Sequence, residues 1–239
     1  VKNFQELGKI VAVTGDGVND SLALKKAEVG ISMGITGTDV AKEASDIIIL
    51  DDNLSTIVEA IEQGRLIYGN IVKVVRFLLT GNLSEVLLIL IVTLLGFPVP
   101  LLPVQILWIN FVTDGLPAIS LAADRSTGKE MHEPPKGENH SLFNIQTFKF
   151  VSFFGFLISI ASVIAFLVGF NSGGIDSARS LSFTTMIVSQ MAFVVLVIRR
   201  GSPILSNKYL IASVILVLLF QLIILIFQPL GEVFQLSSS

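Results

Sequence analysis

Residues 77–95 read FLLTGNLSEVLLILIVTLL, a stretch in which only a few polar residues interrupt an apolar run. At a rise of ~1.5 Å per residue, a helix over this stretch matches the ~30 Å hydrocarbon layer of a bilayer. Of the 239 residues in the chain, 52% are hydrophobic and 15% are charged, and the mean hydropathy is +0.78. This composition is typical of an integral membrane protein.

The charge and cysteine content exclude several classes of function. The net charge of -3 gives no overall positive field, so we expect no nucleic acid partner. The chain has no cysteine and therefore no thiolate metal site, disulfide or cysteine nucleophile.

The helical period extends upstream of the opening stretch. No proline occurs between Ser55 and Pro98, so we predict one helix over Ser55–Leu95, ~60 Å long. Because this length is about twice the hydrocarbon thickness, residues 55–76 are predicted to form a cytosolic stalk. Residues 77–239 are predicted to form a transport domain with five spans, at 77–95, 101–122, 150–170, 180–198 and 209–227.

The charges of the connections predict the topology. The connections FPVPLLP and FNSGGID carry no Lys or Arg, whereas those after the second and fourth spans carry several. The positive-inside rule therefore places residues 1–76 in the cytosol and the C-terminus outside. An odd number of spans, and an N-terminus without Met, also lead us to expect a fragment of a longer protein.

Two of the spans carry polar residues at helical spacing. Asn82 and Glu85 share a face of the first span, and Asn110, Thr113 and Asp114 share a face of the second. A carboxylate near mid-bilayer costs ~2.5–3.5 kcal/mol, so such residues usually face a partner, a cavity or an ion. Carboxylate, amide and hydroxyl oxygens form a hard ligand set suited to Ca²⁺.

Structural roles for these residues remain alternatives. Asp114 can be hydrated near a membrane edge, Asn82 can bond a neighbouring helix, and Thr113 can bond its own backbone. Gln190, in the fourth span, can ligate the ion or bridge two helices.

Residues 1–54 have a different, α/β pattern. Short apolar runs at 10–13, 29–33 and 47–50 alternate with helical segments at 20–27 and 39–45. This alternation predicts a parallel sheet, whose ligands are expected at the carboxyl ends of the strands.

The motif VTGDGVND lies at such a carboxyl end. It can be only a tight turn and a helix cap. In the functional interpretation, Gly15 and Gly17 let the backbone approach a phosphate, and Asp16 holds Mg²⁺. Asn19 then donates to phosphate, and Asp20 orders the Mg²⁺ water shell. No nucleophile is visible.

The segment TGDGVNDSLALKKAEVGISMG, together with NLSE, LWINFVTD and DGLPA, resembles the C-terminal half of P-type ATPases of the calcium-pump class. The resemblance covers essentially the whole chain. It implies a fold of two parts: a partial α/β, haloacid-dehalogenase-like phosphorylation domain over residues 1–54, followed by an α-helical transmembrane bundle.

The resemblance also implies roles for the residues named above. Asp16 becomes the Mg²⁺ ligand, with Asn19 and Asp20 beside it. The ligands of the transported cation, in the fifth and sixth spans of the pump, would be Asn82, Glu85, Asn110, Thr113 and Asp114. Gln190 stands where the sarcoplasmic-reticulum pump has Glu, which favours a one-ion pump of the secretory-pathway or bacterial type.

Three departures from the family pattern limit what this chain can do. It contains no DKTGT phosphorylation motif, no nucleotide domain and no TGE loop. We therefore expect ATP to be bound mainly by parts of the pump that precede this chain, and we expect the chain to be inactive alone. Its expected partners are that N-terminal part of the pump, membrane lipid and the transported cation.

The predicted function is ATP-driven export of Ca²⁺ through an aspartyl-phosphate intermediate, in a bacterial plasma membrane. A pump for Mn²⁺ or a monovalent cation is the alternative in the same class. A non-catalytic membrane partner, or a remnant of a membrane-tethered phosphatase, is the alternative from another class.

Overall fold

The computed structural model describes residues 1–126, 128, 130–132, 142–199 and 206–235. The chain divides into two compact units, Val1–Leu66 with Gly128–Ser141, and Ile67–Thr127 with Leu142–Ser239. The basic connections on which the topology prediction depends lie partly outside the described residues.

The first unit contains a three-stranded parallel sheet. Strands β1 (Ala12–Gly15), β2 (Val29–Met33) and β3 (Ile47–Ile49) lie in the order β1-β2-β3. Helix α1 (Lys2–Glu6) precedes the sheet, and α2 (Ser21–Lys26) and α3 (Asp39–Ala44) form the crossovers. The predicted parallel sheet is confirmed: β1 is shifted by two residues, β2 has the predicted bounds, and β3 ends one residue earlier.

The core of this sheet unit is small. Leu24, Ala41 and Ala44 are buried together, and Val13 of β1 packs against them. Thr38 caps α3, because its hydroxyl accepts a hydrogen bond of 3.3 Å from the Ala41 N–H. The three loops at the carboxyl ends of the strands are therefore held on a compact base.

Helix α4 (Leu54–Leu94) is the long helix predicted from the sequence. Its 41 residues run without a break through Gly64, Gly69 and Gly81. The boundary between the two compact units falls within it, after Leu66. One continuous helix therefore contributes residues to both units.

The second predicted span is not one continuous α-helix. It consists of α5 (Pro103–Trp108), a π-helical turn (Ile109–Thr113) and α6 (Gly115–Ala122). The Asp114 N–H donates to the Ile109 carbonyl at 2.9 Å, five residues back. Pro117 has no N–H for the Thr113 carbonyl, which favours such a local rearrangement.

The third and fourth predicted spans lie within one long helical segment, α7 (Ile145–Phe193), which a π-helical turn (Val194–Ile198) extends. Non-helical angles at Gly173 and Gly174 divide it into two helices. Gly174 has φ 75° and ψ -158°, a conformation almost restricted to glycine. The rings of Phe154 and Phe193 lie 5.2 Å apart, so the chain folds back on itself at these glycines.

Helices α8 (Lys208–Ile226) and α9 (Gln228–Val233) complete the described chain. Among the described residues, four helical segments are long and apolar enough to cross a membrane, and α7 with its π-helical extension counts as one of them. Large apolar side chains such as Phe111 and Ile226 are exposed on these helices, as expected for contact with lipid. The chain is a multi-pass membrane protein, as predicted.

Candidate functional site

Glu85 of α4 and Asn110 of the π-helical turn contact each other inside the membrane unit. The Asn110 amide Nδ2 donates to Glu85 Oε2 at 3.0 Å and also to the Ile106 carbonyl at 3.0 Å. Glu85 is buried, and its second oxygen, Oε1, has no hydrogen-bond partner among the described residues. One carboxylate oxygen is thus held by an amide, while the other is available to a ligand.

Asp114 and Gln190 meet at Gly81, one helical turn before Glu85. A methyl group added at Gly81 would lie 3.0 Å from Asp114 Oδ2 and 3.2 Å from Gln190 Nε2. Asp114 is 1% exposed, and Gln190 is fully buried. Within the described chain, the two carboxylate oxygens of Asp114 have no hydrogen-bond partner. The same holds for Oε1 and Nε2 of the Gln190 amide.

We define the candidate cation site as Glu85, Asn110, Asp114 and Gln190 around Gly81. No lysine, arginine or histidine of the described residues lies within 4.0 Å of either carboxylate. An uncompensated buried charge costs several kcal/mol, so the two carboxylates require a cation or protons. A hard divalent cation fits this site, since its ligands are oxygens and two carboxylates balance its charge.

Two predicted ligands are placed differently. The Thr113 hydroxyl is buried and donates to the Ile109 carbonyl at 2.7 Å. Thr113 thus bonds the backbone of its own helix, which was the structural alternative to an ion ligand. Asn82 lies on the exposed side of α4, whereas Gly81, Ser84 and Glu85 are buried. Asn110 is exposed as well but bonds to Glu85, whereas the Asn82 side chain makes no hydrogen bond to the described residues. The ligand role of Asn82 stays a prediction.

The loop after β1 is organised by Asp20. Its Oδ2 accepts hydrogen bonds from the backbone N–H groups of Asp16 and Gly17, at 3.2 and 3.1 Å. A methyl group added at Gly15 would lie 2.5 Å from the Asp20 Cβ, so this close packing requires glycine. Asp20 thus holds the loop together, a role that the sequence alone does not reveal.

Asp16 and Asn19 are exposed at the carboxyl end of β1. The Asp16 carbonyl accepts a hydrogen bond of 2.9 Å from the Thr38 N–H, which joins this loop to the loop after β2. The Asp16 carboxylate accepts no hydrogen bond from the described residues, so its oxygens are available to Mg²⁺. The residues at this edge therefore fit a hydrated Mg²⁺ ion.

Asp52, after β3, fixes the loop after β2. Its carboxylate accepts from the N–H groups of Ile35 (2.9 Å) and Thr36 (2.7 Å) and from the Thr36 hydroxyl (2.7 Å). These bonds, that of Ile35 foremost, lower the pKa of Asp52 to about 2. The carboxylate is therefore ionised at neutral pH, when it holds the loop that contacts Asp16.

Residues 98–239 match the family described as "Cation transporting ATPase, C-terminus". A protein of Bacillus subtilis (strain 168) named "Calcium-transporting ATPase" is 43% identical over 242 residues, which cover 98% of this chain and 27% of that protein. "Calcium-transporting ATPase type 2C member 1" of Pongo abelii is 37% identical over 245 residues, covering 100% of this chain and 27% of that protein.

A third relative is a "Calcium-transporting ATPase" of Plasmodium falciparum (isolate K1 / Thailand). It is 49% identical over 170 residues, which cover 71% of this chain and 14% of that protein. The chain thus spans about a quarter or less of the length of these relatives. The relatives come from bacteria and from eukaryotes, so they do not determine the source of this chain.

Proposed function

This chain belongs to the cation-transporting ATPase family, and from that premise we propose that it is part of an ATP-driven pump that exports Ca²⁺. The observation that carries the proposal is the candidate cation site. Three buried carboxylate oxygens, Oε1 of Glu85 and both oxygens of Asp114, have no hydrogen-bond donor among the described residues. The relatives named calcium-transporting ATPase support Ca²⁺ as the transported ion.

Residues 1–54 are proposed to be part of a haloacid-dehalogenase-like phosphorylation domain. The parallel sheet and the exposed Asp16 at its carboxyl edge support this assignment. Asp16 would hold Mg²⁺, which neutralises charge on the phosphoryl oxygens during transfer. Asp20 would keep the loop closed through its bonds to the Asp16 and Gly17 N–H groups, and Asn19 would donate to the phosphate.

Transport and phosphorylation are proposed to be coupled through α4. This helix begins shortly after β3 and carries Glu85, whereas Asp114 belongs to the segment that joins the π-helical turn to α6. A displacement of α4 along its axis would change the distance between the two carboxylates and hence the affinity for the cation. Such coupling requires that the ion bind the two arrangements with different affinities.

The other parts of the proposal concern the setting of the pump. The phosphorylated aspartate and most of the ATP site would belong to sequence that precedes this chain. Residues 1–76 are proposed to lie in the cytosol, and the pump is proposed to lie in a bacterial plasma membrane. Lipid and the N-terminal part of the pump are the proposed partners.

ATP-driven uptake of radioactive calcium into inverted membrane vesicles tests the proposal. We expect uptake by vesicles that contain the full-length protein and none by vesicles that contain this chain alone. Competition by excess Mn²⁺ or Na⁺ separates the cargoes: stronger inhibition by Mn²⁺ than by unlabelled Ca²⁺ would favour the manganese alternative. A gene whose reading frame begins at Val1, without an upstream DKTGT, would contradict the pump.

Gly81→Ala is expected to weaken calcium binding and to lower the stability of the protein. The added methyl group would press on Asp114 and Gln190, and overpacking of this size costs ~1–3 kcal/mol. We therefore expect calcium affinity to fall about tenfold in an equilibrium binding assay on the full-length pump.

Gly69→Ala, on the same helix, is the matched control for that variant. A methyl group at Gly69 would meet no atom within 4 Å, so only the helix propensity changes. We expect Gly69→Ala to raise stability by ~0.8–1.0 kcal/mol with unchanged calcium affinity. Equal calcium affinity in both variants would show that Gly81 does not adjoin the binding site.

A further inference from the structure

Asp124, two residues after the end of α6, is the centre of a second buried polar cluster in the membrane unit. Its Oδ2 lies 2.9 Å from Lys73 Nζ of α4. Its Oδ1 lies 3.5 Å from Arg199 Nη2 and accepts from Asn207 Nδ2 at 3.1 Å. Asp124, Arg199 and Asn207 are each at most 5% exposed. The cluster brings together α4, the end of α6, the end of the π-helical turn after α7 and the start of α8.

Amide side chains reinforce the same junction. Asn70 of α4 donates to the backbone carbonyl of Asp124 at 2.8 Å and to that of Ala122 at 3.3 Å. Asn207 donates to the Ser120 carbonyl at 2.8 Å. These carbonyls lie at the C-terminus of α6, where the helix itself supplies no donors. Helix α4 is therefore attached to α6 through both the backbone and the Asp124 carboxylate.

The junction lies at a distance from the candidate cation site along both helices. Twelve residues separate Lys73 from Glu85, about 18 Å on a helix, and ten separate Asp114 from Asp124, about 15 Å. Helix α4 thus contacts the second span at two levels, through Glu85 and Asn110 and through Lys73 and Asp124. Two such contacts fix the axial position of one helix against the other.

We propose that Lys73 and Asp124 are positioning residues for cation binding, which hold α4 in the axial position that places Glu85 beside Asn110 and Asp114. This inference rests on the proposed pump function. Neither residue touches the ion; the pair acts through the position of α4. A slide of α4 by one helical turn, ~5.4 Å, would break the contact between Lys73 and Asp124.

The Lys73 ammonium can separate from Asp124 without leaving the buried Asp124 carboxylate unpaired. Arg199 and Asn207 stay in contact with the Asp124 carboxylate when Lys73 is withdrawn. The Lys73 side chain is 26% exposed, so its ammonium can be hydrated after release, whereas the Arg199 side chain is 2% exposed. Among the contacts of the Asp124 carboxylate, the one with Lys73 is therefore the one that can open during transport, while those with Arg199 and Asn207 persist.

Lys73→Met in the full-length pump tests this inference. The variant removes the charge but leaves Asp124 paired with Arg199, so the protein is expected to fold. We expect the calcium concentration for half-maximal ATPase activity to rise about three- to tenfold, with little change in maximal activity. Lys73→Arg, which keeps a cation at this position, is expected to restore the wild-type value.

Lys149→Met is the matched control, since Lys149 is an exposed lysine in the first turn of α7. It is expected to leave the half-maximal calcium concentration unchanged. The positioning role would be overturned if Lys73→Met shifted the half-maximal calcium concentration no more than Lys149→Met does. It would also be overturned if Lys73→Met changed only the unfolding temperature. If the ATPase activity of the wild-type pump did not depend on calcium, the proposed function would be overturned, and with it the positioning role of Lys73 and Asp124.

Discussion

Asp114→Asn in the full-length pump is expected to abolish calcium-dependent phosphorylation from ATP. Asp114 is 1% exposed, and its two oxygens have no donors among the described residues, so a bound cation is their proposed counter-charge. Removing one partner of a buried charge pair costs ~3–5 kcal/mol, or roughly two to four orders of magnitude in affinity. The phosphoenzyme formed from radioactive ATP is measured as a function of calcium concentration.

Asp176→Asn is the control for this variant. Asp176 is an exposed carboxylate of α7, near Gly174, and its substitution makes the same change in net charge. We expect Asp176→Asn to phosphorylate like the wild type. Phosphorylation of Asp114→Asn at wild-type calcium concentrations would remove Asp114 from the ion site.

Asp16→Asn is expected to abolish phosphoryl transfer while leaving calcium binding intact. The loss of a Mg²⁺ ligand removes several kcal/mol of stabilisation from the charged transition state, so we expect activity to fall at least about a hundredfold. Equilibrium calcium binding is expected to stay at the wild-type level, because Asp16 and the candidate cation site belong to different units of the chain. ATPase activity and calcium binding are measured on the same preparation.

Asp39→Asn is the matched control in the same unit. Asp39 is exposed in the first turn of α3 and, like Asp16, is an aspartate near the carboxyl edge of the sheet. We expect full activity from it. An Asp16→Asn pump that keeps more than about a tenth of the wild-type activity would contradict the Mg²⁺ role of Asp16.

The local patterns of the sequence predicted most of the secondary structure. The run from Ser55 to Leu95 has no proline and keeps a helical period, and α4 differs from it by one residue at each end. The strand at Val29–Met33 was predicted with its exact bounds, because a short, mostly apolar run there is followed by Gly34. The bounds of such helices and strands depend mainly on residues that are neighbours in the sequence, so they can be predicted from it.

The features that the sequence did not reveal depend on tertiary contacts. The π-helical turn before Asp114 requires a choice between hydrogen-bond partners four and five residues back, which depends on packing. The sequence did not predict that Gly81 lies at the candidate cation site, although Gly81 is four residues before Glu85 on the same face of α4. The cluster around Asp124 likewise depends on contacts between residues that are far apart in the sequence.

Calorimetric titration of the purified full-length pump with Ca²⁺ tests the central claim most directly. The claim is that Glu85 and Asp114 hold the transported ion between α4 and the second span. We expect the wild type to release or absorb heat on binding calcium, and we expect Glu85→Gln and Asp114→Asn each to bind at least about a hundredfold more weakly. Titration curves for both variants that match the wild type would contradict it.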